Sequence, residues 1–136
     1  MDQSLRCLLQ LAIHNHRAVS DVELNDYARQ VRLRGFLGCT TIDKLPKRLD
    51  PGQSLIINIQ PSTDGNGTHW IALARGNGRK YSLFDPLGLG QYVDSRILSL
   101  CKHGDLDVNT SRVQDISSKN CGIYCLMWLR TLNVCK

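Results

Sequence analysis

Long apolar segments are absent from this sequence. The longest apolar stretch, Cys121 to Leu129, is interrupted by Gly122 and Tyr124, whereas a membrane-spanning helix needs about 18 apolar residues in succession. The first residues also lack the basic start and the small-residue cleavage site of a secretory signal. We therefore expect an intracellular protein that has no membrane partner.

Closely spaced cysteine pairs are absent as well. The six cysteines contain no CxxC pair, so their spacing does not favour a zinc site, and we expect no metal. Without a secretory signal, a disulfide framework is also disfavoured. Aromatic residues make up only 6% of the chain, and none interleave with its basic stretches as a stacking platform for nucleic acid would require.

The remaining composition is that of one globular domain. The 136 residues are 42% apolar and 21% charged, which excludes disorder, collagen and coiled coil as descriptions of the whole chain. Lys and Arg total 17 against 12 acidic residues, and this net charge of +5 favours acidic partners such as DNA if it is clustered. The densest basic stretches are Arg29–Arg34, Lys44–Arg48 and Arg75–Lys80, each of which alone is typical of a solvated face.

The N-terminal quarter of the chain predicts two helices. Apolar residues recur with helical spacing between Ser4 and Ile13. Ser20 and Glu23 form a capping-box signature, in which the hydroxyl and the carboxylate each accept a bond from a free backbone N–H at the start of a helix. We therefore expect a second helix that begins there and ends at about Val31.

The rest of the chain predicts a sheet and two further helices. Glycines and prolines predict an irregular chain from 35 to 53. Strand-like runs follow at 55–59, 68–74 and 80–84, and the turn Gly76-Asn77-Gly78 joins the last two as a hairpin. A helix comes next, and its predicted buried side comprises Tyr92, Val93, Ile97, Leu98 and Cys101. It is followed by a strand at 106–113 and by a helix at 121–133 that has almost no polar face. This order predicts an α+β fold, with a central, mostly antiparallel sheet and a buried helix among further helices.

Cys121 is the most informative single residue. It opens the predicted buried helix directly after the polar, turn-like segment 117–120. The N-terminus of a helix carries partial positive charge and free N–H groups, and both favour a thiolate, which is the nucleophilic form of cysteine. Cys121 is therefore a candidate nucleophile, although a small buried core residue would fit the same position. Cys125, one turn later, is predicted to be an inert core residue.

Three further residues complete a candidate catalytic group. A thiol nucleophile needs an imidazole to take its proton, a carboxylate to orient that imidazole, and donors for the developing oxyanion. His69 and Asp85 lie seven residues from either end of the 76–78 turn, so a hairpin brings them roughly opposite each other. Gln114 precedes Cys121 by seven residues and can present its amide beside the Cys121 N–H. Each of these residues alone is more often structural; together they predict a triad with an oxyanion hole.

Several segments resemble the adenovirus maturation proteases, the adenain family, whose clan also contains the SUMO-type deconjugating proteases. The matching segments are 67–74 (GTHWIALA), 81–88 (YSLFDPLG), 113–115 (VQD) and 120–129 (NCGIYCLMWL), preceded by 35–38 (GFLG) and 43–46 (DKLP). The order His, acid, Gln, Cys is that of the clan. The third position holds Asp85, as is usual in the wider clan, whereas the familiar mammalian adenovirus enzymes have Glu.

The resemblance implies a cysteine endopeptidase and a role for each residue. Cys121 would be the nucleophile, His69 the base and acid, Asp85 the group that orients His69, and Gln114 the oxyanion donor together with the Cys121 N–H. It implies a single domain over residues 1–136, with N-terminal helices in 1–33 and a catalytic core in 34–136. Its expected substrates are viral structural and core precursors with Gly near the scissile bond.

The resemblance also implies partners and a location. Adenain-like enzymes are activated by DNA and by a short viral peptide that attaches through a disulfide. Cys101 is a candidate for that disulfide, and a core residue of a helix is the alternative. We expect a monomer that acts in the nucleus of the host cell and in the virion during maturation, and that needs no cofactor for the chemistry itself.

Other functions fit the same residues. A protease that removes a ubiquitin-like modifier after a Gly-Gly tail would use the same four side chains, although the chain is short for recognising a folded modifier. A catalytically inactive module of the same fold could bind a peptide or DNA, but all four catalytic residue types are present. A small basic DNA-binding protein would require a clustered basic face.

Overall fold

The computed structural model describes residues 3–14, 19–59, 69–86, 88, 93–109 and 121–134. Within these residues the chain forms four α-helices, five β-strands and one short 3₁₀ helix. In chain order they are α1 (Gln3–His14), α2 (Asp21–Gln30), β1 (Phe36–Thr41), the 3₁₀ helix (Ile42–Lys44), β2 (Ser54–Asn58), β3 (Trp70–Arg75), β4 (Lys80–Phe84), α3 (Ser95–Leu100), β5 (Asp105–Val108) and α4 (Cys121–Val134).

The five strands form one mixed sheet in the order β1-β2-β3-β4-β5. The central pairs β2–β3 and β3–β4 are antiparallel, whereas the outer pairs β1–β2 and β4–β5 are parallel. The parallel pairs arise because the segments that connect them cross over one face of the sheet instead of forming a hairpin. The predicted α+β class is confirmed, and the sheet is more evenly mixed than the sequence suggested.

The alternation of apolar residues along the strands gives the sheet two buried faces. Ile56 of β2 and Ala72 of β3 face a core that contains residues of α1, α2 and α4, and Leu55, Ile57 and Leu73 face a second core on the α3 side. Side chains alternate between the two sides of a strand, so a run that is apolar at every position must be covered on both sides. Helix α4 packs on β3 and β2, which confirms its predicted place at the centre of a core.

The first two helices agree with their sequence signals. The hydroxyl of Ser20 accepts a bond from the Glu23 N–H at 3.2 Å, and the Glu23 carboxylate accepts one from the Ser20 N–H at 3.3 Å. This is the predicted capping box, and α2 begins at the next residue, Asp21.

Two expectations from the sequence are wrong. The segment after Gly35 is the strand β1 and not an irregular loop, because parallel pairing with β2 overrides the local glycine signal. Gly38 lies inside β1 with φ of +114°, where the register shifts between Phe36 and Cys39, so glycine here permits a bulge. Leu98, predicted on the buried side of α3, is 50% exposed, because the buried face consists of Ile97, Leu100 and Cys101, at i, i+3 and i+4, and Leu98 lies outside it.

No helix in the described part of the chain is long and apolar enough to cross a membrane.

Candidate active site

The first residue of α4 is Cys121, and its side chain packs against the start of β3. The residue is only 2% exposed. Its neighbour Gly122 makes close packing possible at this point: a Cβ there would lie 2.9 Å from both terminal methyl carbons of Leu24 and 3.2 Å from Cδ1 of Trp70. Because Leu24 of α2 is itself fully buried and has no room to withdraw, a side chain at position 122 would push α4 away from α2.

The main chain of Trp70 joins β3 to two cysteines of α4. The Trp70 N–H donates to Sγ of Cys121 at 3.3 Å, and the thiol of Cys125 donates to the Trp70 carbonyl at 3.4 Å. Burial raises the pKa of Cys125 well above its ordinary value, so this thiol keeps the proton that it donates. The two sulfur atoms are one helical turn apart and bind one residue, which fixes β3, and therefore the adjacent His69, relative to Cys121.

His69 precedes β3 and forms an ion pair with Asp85. Its Nε2 lies 2.8 Å from Oδ1 of Asp85, and the two side chains are 13% and 12% exposed. With Nε2 occupied by the carboxylate, Nδ1 is the ring nitrogen left for the thiol. The hairpin register pairs Ala72 with Phe84, so His69 and Asp85 are staggered by two residues across the β3–β4 pair. The predicted proximity of His69 and Asp85 is therefore confirmed.

The environment of His69 favours its protonated form. Burial of the ring lowers its pKa, but hydrogen bonds to Asp85 and to Cys121, together with the electrostatic attraction of both groups, raise the pKa overall from 6.5 to about 9. The imidazole is thus held between a carboxylate and a thiol sulfur and retains a proton at neutral pH. A thiol, an imidazole and a carboxylate connected in this order can generate a thiolate and return its proton to a leaving group.

Two further contacts fix the position of Asp85, and the sequence predicted neither. Phe84, the last residue of β4, stacks on Trp128 of α4 with ring centroids 5.2 Å apart. The side-chain amide of Asn109 bonds to both the N–H and the carbonyl of Asp85, each at 2.7 Å. Asn109 lies just after β5 and carried no sequence signal, because its role depends on where β5 ends beside β4.

Two further predictions concern Gln114 and Cys101. Gln114 is outside the described residues, so the oxyanion role remains a prediction, as do the roles of His69, Asp85 and Cys121 in catalysis. Cys101 is 3% exposed at the end of α3, and burial raises its pKa to about 11. Its disulfide with a peptide also remains a prediction. Among the described residues, no group of three or more His, Cys, Asp or Glu side chains could hold a metal ion.

A basic cavity lies at the opposite end of β3 and β4 from His69 and Asp85. Its volume is about 350 Å³, and its lining includes five Lys or Arg side chains together with His103 and Tyr81; the five are Lys47, Arg48, Arg75, Arg79 and Lys102. Arg75 is fixed by hydrogen bonds to the Leu49 and Gly78 carbonyls. Two of the three basic stretches of the sequence therefore meet at one place.

Comparison with known proteins relates the chain to viral proteases. It is 36% identical over 129 residues to a protein named Protease from snake adenovirus serotype 1. It is 32% identical over 128 residues to a protein of the same name from ovine adenovirus D serotype 7. Each alignment covers 81% of this chain and 63% of the relative, so the chain spans slightly less than two thirds of the length of these relatives. No protein-family model matches the chain.

Proposed function

We propose that the chain is an adenovirus protease-like protein and that it is a cysteine endopeptidase. One observation carries the proposal: His69 is hydrogen-bonded to Asp85 on one side and to Cys121 on the other, at the start of a buried helix. The two similar viral proteins are both named Protease, which supports the same reaction class. Thiol, imidazole and carboxylate in this order are the arrangement that thiol proteases use to cleave a peptide bond.

The first half of the reaction forms an acyl-enzyme. Nδ1 of His69 takes the proton from Sγ of Cys121, and the sulfur attacks the carbonyl carbon of the scissile peptide. A sulfur–carbon bond forms while the carbonyl oxygen becomes an oxyanion. The imidazolium then gives its proton to the leaving nitrogen, the carbon–nitrogen bond breaks, and a thioester remains on Cys121.

Water completes the reaction. His69 takes a proton from water, the hydroxyl oxygen bonds to the thioester carbon, and the carbon–sulfur bond breaks to release a carboxylic acid. The proton then stays on His69, whose environment favours the protonated ring, and the starting pair of His69 and Cys121 is regenerated. Asp85 keeps Nε2 of the imidazole occupied, so that Nδ1 is the nitrogen that exchanges protons with the sulfur, the leaving nitrogen and water.

We assign stabilisation of the oxyanion to the Cys121 backbone N–H and the Gln114 side chain. The support for the first donor is its position at the start of α4, where backbone N–H groups have no partner within the helix. The support for Gln114 is the family resemblance of its sequence segment. Replacing Gln114 by Ala should lower kcat about 100-fold with little change in KM, and an unchanged kcat would remove Gln114 from the mechanism.

The proposed substrates are precursors of viral structural and core proteins, cleaved at sites that contain Gly during virion maturation in the host nucleus and the virion. The support is the similarity to two adenovirus proteases. We further propose that DNA activates the enzyme, and the basic cavity supports this, since five cations converge there. Removal of one cavity charge should weaken salt-dependent binding of DNA.

Cleavage of peptides tests the proposed function. A panel of Gly-containing peptides and of fusions to ubiquitin-like modifiers is incubated with the wild type and with Cys121→Ala, with and without duplex DNA. We expect the wild type to cleave the peptides and Cys121→Ala to lose all activity, because Cys121 is the proposed nucleophile. Cys7→Ala, which alters an exposed thiol on α1, is the matched control and should cleave normally.

Three other results would change the assignment. Cleavage of the modifier fusions alone would identify a deconjugating protease. Full activity in Cys121→Ala would remove this residue as the nucleophile. Binding of peptide or DNA without any cleavage by the wild type would identify an inactive binding module of the same fold.

A further inference from the structure

The side chain of Asn109 extends the β4–β5 pairing by one residue. The last paired residues of the two strands are Leu83 and Val108, so β5 ends before it reaches Asp85. At the next position the Asn109 N–H still donates to the Leu83 carbonyl, at 3.4 Å. Its side-chain carbonyl then accepts from the Asp85 N–H, and its NH₂ group donates to the Asp85 carbonyl, each at 2.7 Å.

A primary amide suits this position because it carries both a donor and an acceptor. It offers the main chain of Asp85 the same pair of groups that a neighbouring strand would offer. A carboxylate at position 109 could accept from the Asp85 N–H but could not donate to its carbonyl, and an alanine could do neither. The two bonds are short and part-buried, so losing them leaves main-chain groups of Asp85 without these partners.

The two hydrogen bonds of the Asn109 side chain act on Asp85, the residue that orients His69. Asp85 lies one residue beyond β4, where the pairing with β3 ends at Ala72 and Phe84. Its carboxylate must nevertheless lie within 2.8 Å of the His69 ring. Asn109 holds the main chain of Asp85 at the end of β4. Because the Asp side chain is short, the position of its main chain determines where the carboxylate meets the imidazole.

We propose that Asn109 is a positioning residue for this catalytic group, acting through the main chain of Asp85 on the orientation of His69. The inference rests on the proposed function for its catalytic consequence, but its structural part concerns only the His69–Asp85 pair. Both bonds described for the Asn109 side chain are to the main chain of Asp85, so the effect argued here reaches His69 through Asp85.

Asn109→Ala and Asn109→Asp test the proposal, with Asn77→Ala as the matched control. Asn77 lies exposed in the β3–β4 turn, far from Asp85 along the strands. The pKa of His69 is measured by NMR titration, with its signal assigned by its absence from His69→Ala. We expect that pKa to fall in Asn109→Ala from about 9 towards 6.5, less in Asn109→Asp, and not at all in the control.

Kinetics and thermal unfolding complete the test. We expect kcat to fall about 10- to 100-fold in Asn109→Ala with little change in KM, because a displaced base slows chemistry more than binding. A lower melting temperature with an unchanged His69 titration and unchanged kcat would overturn the proposal and leave Asn109 a purely structural residue. If the wild type cleaves no peptide, the proposed function fails, and the titration still decides whether Asn109 positions the pair.

Discussion

At the scale of single residues, the site depends on competing effects on His69. Burial alone would lower the pKa of the ring and leave it neutral, but the bonds to Asp85 and Cys121 raise the pKa to about 9. The imidazole can therefore hold the proton taken from Cys121 at neutral pH. Without Asp85, the pKa of the ring would be lower, and the ring would be a weaker base towards the thiol.

The raised pKa of His69 predicts how stability depends on pH. A histidine with a pKa of about 9 in the folded chain and 6.5 in the unfolded chain stabilises the fold fully below pH 6.5, and this contribution disappears as the pH rises to 9. Asp85→Asn removes the main cause of the rise. We therefore expect it to cost on the order of 1–3 kcal/mol of unfolding free energy at pH about 6 and clearly less at pH about 9.5.

Urea unfolding at the two pH values measures this difference. Asp26→Asn is the control, since Asp26 is exposed on α2 and pairs with Arg29 at the surface. The control should show nearly the same small cost at both values. An equal cost of Asp85→Asn at both pH values would show that the carboxylate does not stabilise a protonated His69.

At the scale of elements, local signals predicted most of the fold. The capping box located the start of α2, the Gly76-Asn77-Gly78 turn located the β3–β4 hairpin, and the apolar run from Cys121 located α4. Strand β1 could not be predicted, because its pairing with β2 is parallel and non-local and its glycines are typical of loops. The length of α3 and its exposed face likewise depend on packing that local sequence does not specify.

In the site, too, local sequence signals predicted some contacts, whereas contacts that depend on packing between distant elements could not be predicted. Counting residues from the hairpin turn was enough to bring His69 near Asp85, and the start of a helix was enough to single out Cys121. Asn109 could not be found in this way, since its two bonds to Asp85 require β5 to end one residue earlier. Nor could the sequence show that Cys125 bonds to the carbonyl of Trp70, because this contact depends on how α4 docks on β3.

At the scale of the whole molecule, the basic cavity and the His69–Asp85 pair lie at opposite ends of β3 and β4. Five Lys and Arg side chains line the basic cavity. His69 and Asp85 lie at the other ends of β3 and β4. A polyanion bound in the cavity would therefore leave His69 and Asp85 accessible.

Salt-dependent binding of DNA tests the role of the cavity. Arg79→Ala removes a cation that lines it, whereas Arg29→Ala removes a cation of the same charge that is paired with Asp26 on α2. Each lost phosphate contact should reduce the slope of log K against log salt by about 0.9. We expect this reduction in Arg79→Ala alone, measured by fluorescence anisotropy of a labelled duplex between about 50 and 200 mM salt. Equal weakening in both variants would show that the binding is diffuse.

Covalent labelling tests the identity of the nucleophile and its base most directly. The chain is treated with a peptide vinyl sulfone ending in Gly-Gly, and the adduct is located by intact mass and peptide mapping in the wild type, Cys121→Ala, His69→Ala and Cys7→Ala. We expect one adduct, on Cys121, that is lost in Cys121→Ala, strongly slowed in His69→Ala and unchanged in Cys7→Ala. Labelling of Cys121 at the same rate in His69→Ala, or an adduct on another cysteine, would contradict a thiol activated by His69.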